Sequence, residues 1–481
     1  MINKKAVNQL LSDMFIFLVK VIAIGIVALL VAYSLCGESK AQSADNTLGW
    51  NFVNLDQYGT VESMQKMADL FPDNGTLLCR LRTDKDQSEE LDMATINKAI
   101  LFDSICRSKN VFFSVIYTAN LWASPETNYI GIRYLREAGV YISYIELGNE
   151  YYSIVDFDFV KYKSICQQNI NYIRGLLPDT RFLLPAAPNP IYDGFSGRRI
   201  HSVWNDSISN YIKTLSNSDD IVWHIYYNQD ENAIIEQYEK GLPKQNYSSS
   251  VYNEFLDTTY YSILESCLQS DKWSVVKSYC DFKFPGRDII LTEFGIENSG
   301  KFRNTWAYSA VIFRDMMEHR KTFDELYVHA GISIVGVIDR NGDVTAEYYA
   351  CKLAINSPVN SKNIFESNSV SEGENYFYFI NDGIDNSFSF EIPSGYYISS
   401  VEKQYISGNF VYSVGGVTDW MSKTSDKTPE ITGINTDINN YTLPEYSFGI
   451  IKAVVCKTNP PASCRRKFLW LCIKSNRRCN C

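Results

Sequence analysis

The run Ser143-Tyr144-Ile145-Glu146-Leu147-Gly148-Asn149-Glu150 and its counterpart Asp288-Ile289-Ile290-Leu291-Thr292-Glu293-Phe294-Gly295 decide how this 481-residue chain is read. Each is a short, apolar, β-rich stretch that closes on a glutamate near a glycine, the form of a strand running into a turn. Glu293 follows Glu150 by 143 residues, a span that holds three strand-plus-helix units with one generous connection.

Outward from these two runs the same texture recurs. Strands are expected at Leu48–Leu55, Leu77–Thr83, Val111–Tyr117, Ser143–Leu147, Arg181–Ala186, Ile221–Tyr227, Ile289–Thr292 and Glu325–Ile334. Helical spacing lies between them at Ala94–Cys106, Phe159–Leu176 and Thr305–Arg320, with a further helix around Tyr252–Gln269 inside a long insertion. Eight such alternations predict an α/β fold, a closed (β/α)8 TIM barrel. An open doubly wound sheet would carry a glycine-rich phosphate loop after its first strand, and none follows. From about Ile355 the pattern changes to strands broken by glycine turns, at Asn375–Ile380, Ser387–Ile392, Tyr396–Tyr405 and Tyr446–Val455. These predict a C-terminal antiparallel β-sandwich. The expected divisions are 1–47 (signal peptide or membrane anchor and linker), 48–354 (barrel), 355–456 (sandwich) and 457–481 (basic, cysteine-rich tail).

Charge and cysteine usage narrow the partners. A net charge of −10 excludes a nucleic-acid partner, which needs a basic stripe to replace counterions, and fits a neutral ligand better. The twelve cysteines show no paired metal-binding spacing, so neither a metal nor another cofactor is expected. Cys456, Cys464, Cys472, Cys479 and Cys481 crowd the end of the chain, where an oxidising compartment would allow a local disulfide clasp. Met14–Leu35 is apolar, with one charge at Lys20 and with Lys4 and Lys5 before it. It reads either as a signal peptide, cleaved near Ser39 and Ala41 or lipidated at Cys36, or as a retained membrane anchor. On either reading the rest is exported: extracellular, periplasmic or membrane-anchored. The oligomeric state is not written in the sequence.

In a barrel of this kind chemistry gathers where strands end, and two strand ends carry Glu150 and Glu293. Two carboxyl groups facing each other across a bond can protonate a leaving oxygen on one side and attack, or activate water, on the other. Leu147-Gly148-Asn149-Glu150 and Leu291-Thr292-Glu293-Phe294-Gly295 resemble the fourth- and seventh-strand signatures of the clan A retaining glycoside hydrolases. The turn Val337–Gly342, the helix start Ala346–Ala350 and the closing Leu443-Pro444-Glu445-Tyr446-Ser447 extend the resemblance over residues 48 to about 455. It implies a carbohydrate substrate, Glu150 as general acid/base, Glu293 as nucleophile, and Asn149 bonded to the sugar 2-hydroxyl.

Neighbouring strands supply candidates for the rest of the pocket. His224 and Tyr226 share a face of their strand by alternation. The resemblance places both in the pocket, with the Tyr226 hydroxyl by the nucleophile, keeping Glu293 ionised while burial and the opposed charge raise Glu150. Arg80 and Arg82 share a face of the second strand; an arginine in a barrel mouth needs a carboxylate partner, and Glu293 is a candidate for Arg80, with Arg82 nearer the rim. Trp122 is either a sugar-stacking platform or a loop residue packed on its neighbours. The eighth strand departs from the clan pattern, because Tyr327–Ser333 contains no tryptophan. The rival to a retaining hydrolase is a noncatalytic carbohydrate-binding or surface scaffold protein on the same fold.

Overall fold

The computed structural model describes residues 48–84, 88–155, 157–190, 195–196, 199–227, 263–296, 306–333, 336–382, 386–407, 432–436, 442–444 and 447–458. The apolar run 14–35, most of the insertion after Tyr227 and the tail cysteines beyond Cys456 lie outside them. Among the described residues no helix is long and apolar enough to cross a membrane, and Cys456 is unpaired.

Eight parallel strands close into a barrel: β1 (Leu48–Phe52), β2 (Thr76–Arg82), β3 (Phe112–Thr118), β4 (Tyr141–Glu146), β5 (Phe182–Pro185), β6 (Asp220–Tyr227), β7 (Ile289–Ile296) and β8 (Glu325–His329). Each pairs with its neighbours in sequence, and β8 returns to β1. Helices between the strands include α1 (Leu55–Tyr58), α2 (Val61–Ala68), α3 (Met93–Ser108), α4 (Pro125–Glu137), α5 (Phe159–Leu176), α6 (His201–Ile212), α7 (Lys272–Lys283), α8 (Trp306–His319) and α9 (Ala346–Ile355). Local chemistry starts them. Asp92, Ser124 and Asp158 each accept a backbone N–H three residues on, and Pro125 opens α4 where its missing donor costs nothing.

Several strand ends differ from expectation, and the largest shifts are in β7, which runs on to Ile296 rather than stopping at Thr292, and in β1 and β8. β1 stops at Phe52, where the chain turns into α1, and β8 stops at His329 rather than continuing to 334. Beyond His329 the backbone folds back, with the Val337 N–H donating to the Ala330 carbonyl. Gly331 lies so close to the Phe52 ring that a Cβ there would come within 2.6 Å of it.

Inside the barrel, side chains form layers. Leu78, Ile116, Tyr144, Leu183, Val222, Ile290 and Tyr327, one from each of β2 to β8, make an apolar cluster. Two residues further along the strands the interior turns polar, with Asn51, Arg80, Thr118, Glu146, His224, Thr292 and His329 at that level. The other strand faces pack against the helices around Trp50, Trp223 and Phe294.

After α9 the chain forms a five-stranded sheet of β9 (Lys362–Asn363), β10 (Gly373–Asn381), β12 (Tyr396–Ser407), β13 (Thr432–Thr436) and β15 (Ser447–Lys457), in the order β9-β10-β15-β12-β13. All its pairings are antiparallel except β9 with β10. A two-stranded ribbon, β11 (Asn386–Ser387) with β14 (Thr442–Leu443), accompanies it. Leu443 and Phe388 share a buried cluster with Phe377, Phe379 and Val401 of the sheet. The sheet meets the barrel through α8, where Phe313 packs on Phe448 and the Tyr378 hydroxyl donates to Glu318.

Candidate active site

The polar layer converges on Glu293, and a backbone irregularity puts it there. On strict alternation, Ile290 faces the barrel interior and Leu291 and Glu293 face the helices. The pairing of β7 with both β6 and β8 skips a residue between Leu291 and Phe294, so β7 carries one extra residue, a β-bulge. Thr292 and Glu293 therefore both turn inward, and Phe294 returns to the helix side.

Glu293 is buried in a cage of donors. Its Oε1 accepts from Arg80 Nη1 at 2.5 Å and from Asn51 Nδ2 at 2.8 Å, and its Oε2 accepts from the Tyr226 hydroxyl at 2.5 Å. Arg82 Nη1 lies 3.7 Å from Oε1, and the Nδ1 atoms of His224 and His329 lie 3.7 Å from Oε2. Burial pushes the carboxyl up. The imidazoles when charged, and the two guanidinium groups always, outweigh it and hold Glu293 well below the usual carboxylate range.

Glu150 reaches the same space from the loop after β4. That strand ends at Glu146, and the chain then turns sharply: Gly148 has φ +78° and Glu150 φ +50°. A Cβ at Gly148 would come within 2.3 Å of the Tyr151 ring, so only glycine fits there. A glutamate held in the left-handed region is strained, and such strain concentrates at functional sites. Its Oε1 lies 2.8 Å from His224 Nδ1 and accepts from the Tyr152 hydroxyl at 3.0 Å; nothing among the described residues donates to Oε2. Burial raises the carboxyl, as does the charge on Glu293, but His224 and Tyr152 outweigh them and leave Glu150 below its ordinary value. The sequence-based expectation of a raised Glu150 thus has the wrong sign, because it counted burial and charge without the histidine bonded to the carboxylate.

The remaining sequence-predicted residues divide. Arg80 is fully buried between two carboxylates, donating Nε and Nη2 to Glu146 at 2.6 and 2.7 Å and Nη1 to Glu293. Its Nη2 also donates to Asn149 Oδ1 at 2.7 Å. The Asn149 N–H donates to Asp84, leaving its Nδ2 with no acceptor among the described residues. Arg82 pairs with Asp84 at 2.7 Å. His224 spans the site, with Nε2 3.1 Å from Thr292 Oγ1. Trp122 packs edge-on to Phe157 at 4.7 Å with Lys161 over its ring, the arrangement of a loop residue packed on its neighbours.

Sequence reasoning gave no role to Asn51, Asp84, Glu146, Tyr152, Thr292 or His329. The signal for Asn51 was present: an amide between Trp50 and Phe52, at the inward position of a strand. Glu150, His224 and Glu293 also bring one ligand atom each within 4.8 Å of one another, a spacing that could hold a metal ion. The Arg80 and Arg82 charges beside Glu293 oppose a cation there.

No protein-family model and no curated protein matches the chain. Among solved structures it is similar to the GH39 enzyme from Xanthomonas axonopodis pv. citri (11% identity, 86% of this chain and 94% of the other, TM-score 0.43). It is also similar to a glucosidase from Croceicoccus marinus (10%, 85% and 96%, 0.44) and to a GH5-4 broad specificity endoglucanase from Clostridium acetobutylicum (12%, 64% and 97%, 0.35). Likeness at these identities and TM-scores carries no argument about what this chain does.

Proposed function

We propose that the barrel mouth is the active site of a retaining glycoside hydrolase, with Glu293 as nucleophile and Glu150 as acid/base. One observation carries the reading: oxygens of Glu150 and Glu293 lie within 4.8 Å of each other. Retaining enzymes hold their carboxyls roughly 5–5.5 Å apart, whereas inverting ones need about 6.5–9.5 Å to admit a water.

The surroundings of Glu293 suit a nucleophile, whereas Glu150, held low by His224, acts as acid from the protonated form that is populated toward acid pH. Glu293, kept ionised by Arg80 and its other donors, attacks the anomeric carbon as the bond to the leaving oxygen breaks. Glu150 gives that oxygen its proton from Oε2, the atom to which no described group donates. Once Glu293 is esterified its negative charge is gone, and with it one of the influences raising Glu150. Glu150 then takes a proton from the water that attacks the glycosyl-enzyme. Asn149 donates its Nδ2 hydrogen to the sugar, a reading supported by the absence of any acceptor for it among the described residues. The substrate is an oligo- or polysaccharide met outside the cytoplasm, reached through export directed by residues 14–35. The five-stranded sheet and its ribbon are the accessory sandwich of residues 355–456.

The test uses a panel of aryl glycosides and polysaccharides. Proton NMR of the first-formed product should show the substrate's own anomeric configuration, and Glu150→Ala should lose activity mainly on substrates with poor leaving groups. An inverted product overturns the mechanism. Glycan binding without any release of reducing ends favours the noncatalytic scaffold.

A further inference from the structure

We propose that Asp84 is a positioning residue: its carboxylate clamps the strained turn after β4 by accepting the Asn149 N–H, and so keeps Glu150 opposite Glu293. The effect on acid catalysis rests on the glycosidase reading; the clamp itself does not.

Asp84 follows the end of β2 by two residues and is 6% exposed. Its Oδ1 accepts from Arg82 Nε at 2.7 Å, and its Oδ2 accepts from the Asn149 backbone N–H at 3.0 Å, across 65 positions of the chain. Each oxygen thus has its own donor, and the Arg82 guanidinium offsets the cost of burying the charge. Arg82 in turn lies 3.7 Å from Glu293. One side chain therefore ties the strand that supports the nucleophile to the loop that carries the acid.

The turn needs such a tie. The Leu147 N–H still follows the sheet, donating to the Leu183 carbonyl at 2.9 Å, whereas the Gly148 N–H turns back on the Glu146 carbonyl at 3.0 Å. The chain then enters the left-handed region twice, at Gly148 and at Glu150. Glycine adopts that conformation freely, but a glutamate stays in it only where its surroundings over-determine it. Beyond Glu150, the Ser153 N–H and Oγ both donate to the Glu150 carbonyl, at 2.8 and 2.7 Å. Asp84 holds the peptide group before Asn149, and Ser153 holds the one after Glu150. His224 and Tyr152 bond the carboxyl group at the end of the side chain; Asp84 fixes the backbone from which it reaches. Without that acceptor the Asn149 N–H is left unmet, Glu150 relaxes toward negative φ, and its Cα–Cβ bond turns away from the site.

The clamp is read by hydrogen exchange at the Asn149 amide of the full-length protein, followed by mass spectrometry with residue-resolving fragmentation. A single asparagine oxygen cannot serve both donors of Asp84, so the comparison is made without the arginine. Arg82→Met/Asp84→Asn keeps an acceptor for the amide and should stay protected, as wild type does. Arg82→Met/Asp84→Ala lacks it and should exchange about tenfold faster or more. Equal rates in the two double variants overturn the clamp. So does a wild-type amide exchanging as fast as an unstructured peptide, a result that needs no variant to fold. The positioning role is read from kcat/KM on aryl glycosides of graded leaving group. Asp84→Ala should lose about tenfold more, or beyond, on poor leaving groups than on good ones, the direction expected of Glu150→Ala, because the misplaced group is the acid. An equal loss on every substrate overturns that role, since a merely weakened fold costs all of them alike. A wild type that hydrolyses no glycoside overturns the role together with the glycosidase reading, and leaves the clamp to be judged by exchange.

Discussion

Two residues of strand separate the apolar layer of the barrel from the polar one: Leu78 gives way to Arg80, Ile116 to Thr118, Tyr144 to Glu146, Val222 to His224, Ile290 to Thr292 and Tyr327 to His329. The lower layer is held by removal of apolar surface from water, an attraction without direction or charge. The upper layer pays desolvation for every group it buries and is stable only because each charge has its partner. Arg80 shows the coupling, since it serves Glu146, Glu293 and Asn149 at once. The difference teaches that the lower layer builds the cylinder and the upper one uses it.

Mutations at matched positions break or sharpen that contrast. The largest effect is expected in turnover: Glu293→Ala should lower kcat on the order of 10^4-fold or more, as loss of a nucleophile does. Ile290→Ala, from the layer below, should leave kcat near wild type while lowering stability by about 2–5 kcal/mol. A Glu293→Ala enzyme within tenfold of wild type would remove the carboxylate from the chemistry.

Arg80→Met and Leu78→Ala should both destabilise, the first by about 3–5 kcal/mol because it strands buried carboxylates. They should differ in pH dependence. The folded-state value of Glu293 is depressed, so its contribution to stability is present above the ordinary carboxylate value of about 4.3 and is lost as pH falls toward the folded value. Urea unfolding should show this acid-side loss in wild type and in Leu78→Ala, and a smaller loss in Arg80→Met. Parallel pH curves for all three proteins would contradict the cage.

His224→Leu should move a limb of the pH profile. The acid form of Glu150 is needed, so kcat/KM falls as pH rises through its titration. His224 holds that titration low, whereas burial and the charge of Glu293 push it up. Without His224 the alkaline limb should shift to higher pH, and a shift to lower pH would refute the pairing. The smallest effect is expected for Thr292→Val, which loses one hydrogen bond to His224 and should cost about 1 kcal/mol in denaturant unfolding.

Much of the architecture was readable in the chain. Helix α5 runs Phe159–Leu176 as its spacing predicts, and α8 runs Trp306–His319 against a predicted Thr305–Arg320. Periodicity is local, and so are the caps that begin these helices. The two glutamates were readable for a similar reason, as charged residues closing apolar runs. The bulge in β7 was not: alternation along the strand would have sent Glu293 to the helices, and only pairing on both sides reveals the extra residue.

By itself, then, the sequence determined that strands and helices alternate eight times and that two carboxylates stand at strand ends, because period and polarity are properties of neighbouring residues. Closure of the barrel decided the rest. It brought Asn51 and His329, 278 residues apart, to one carboxylate, set His224 against Glu150, and so reversed the direction in which Glu150 is shifted. Such effects depend on distances of a few ångströms between residues far apart in the chain, and no local pattern encodes them.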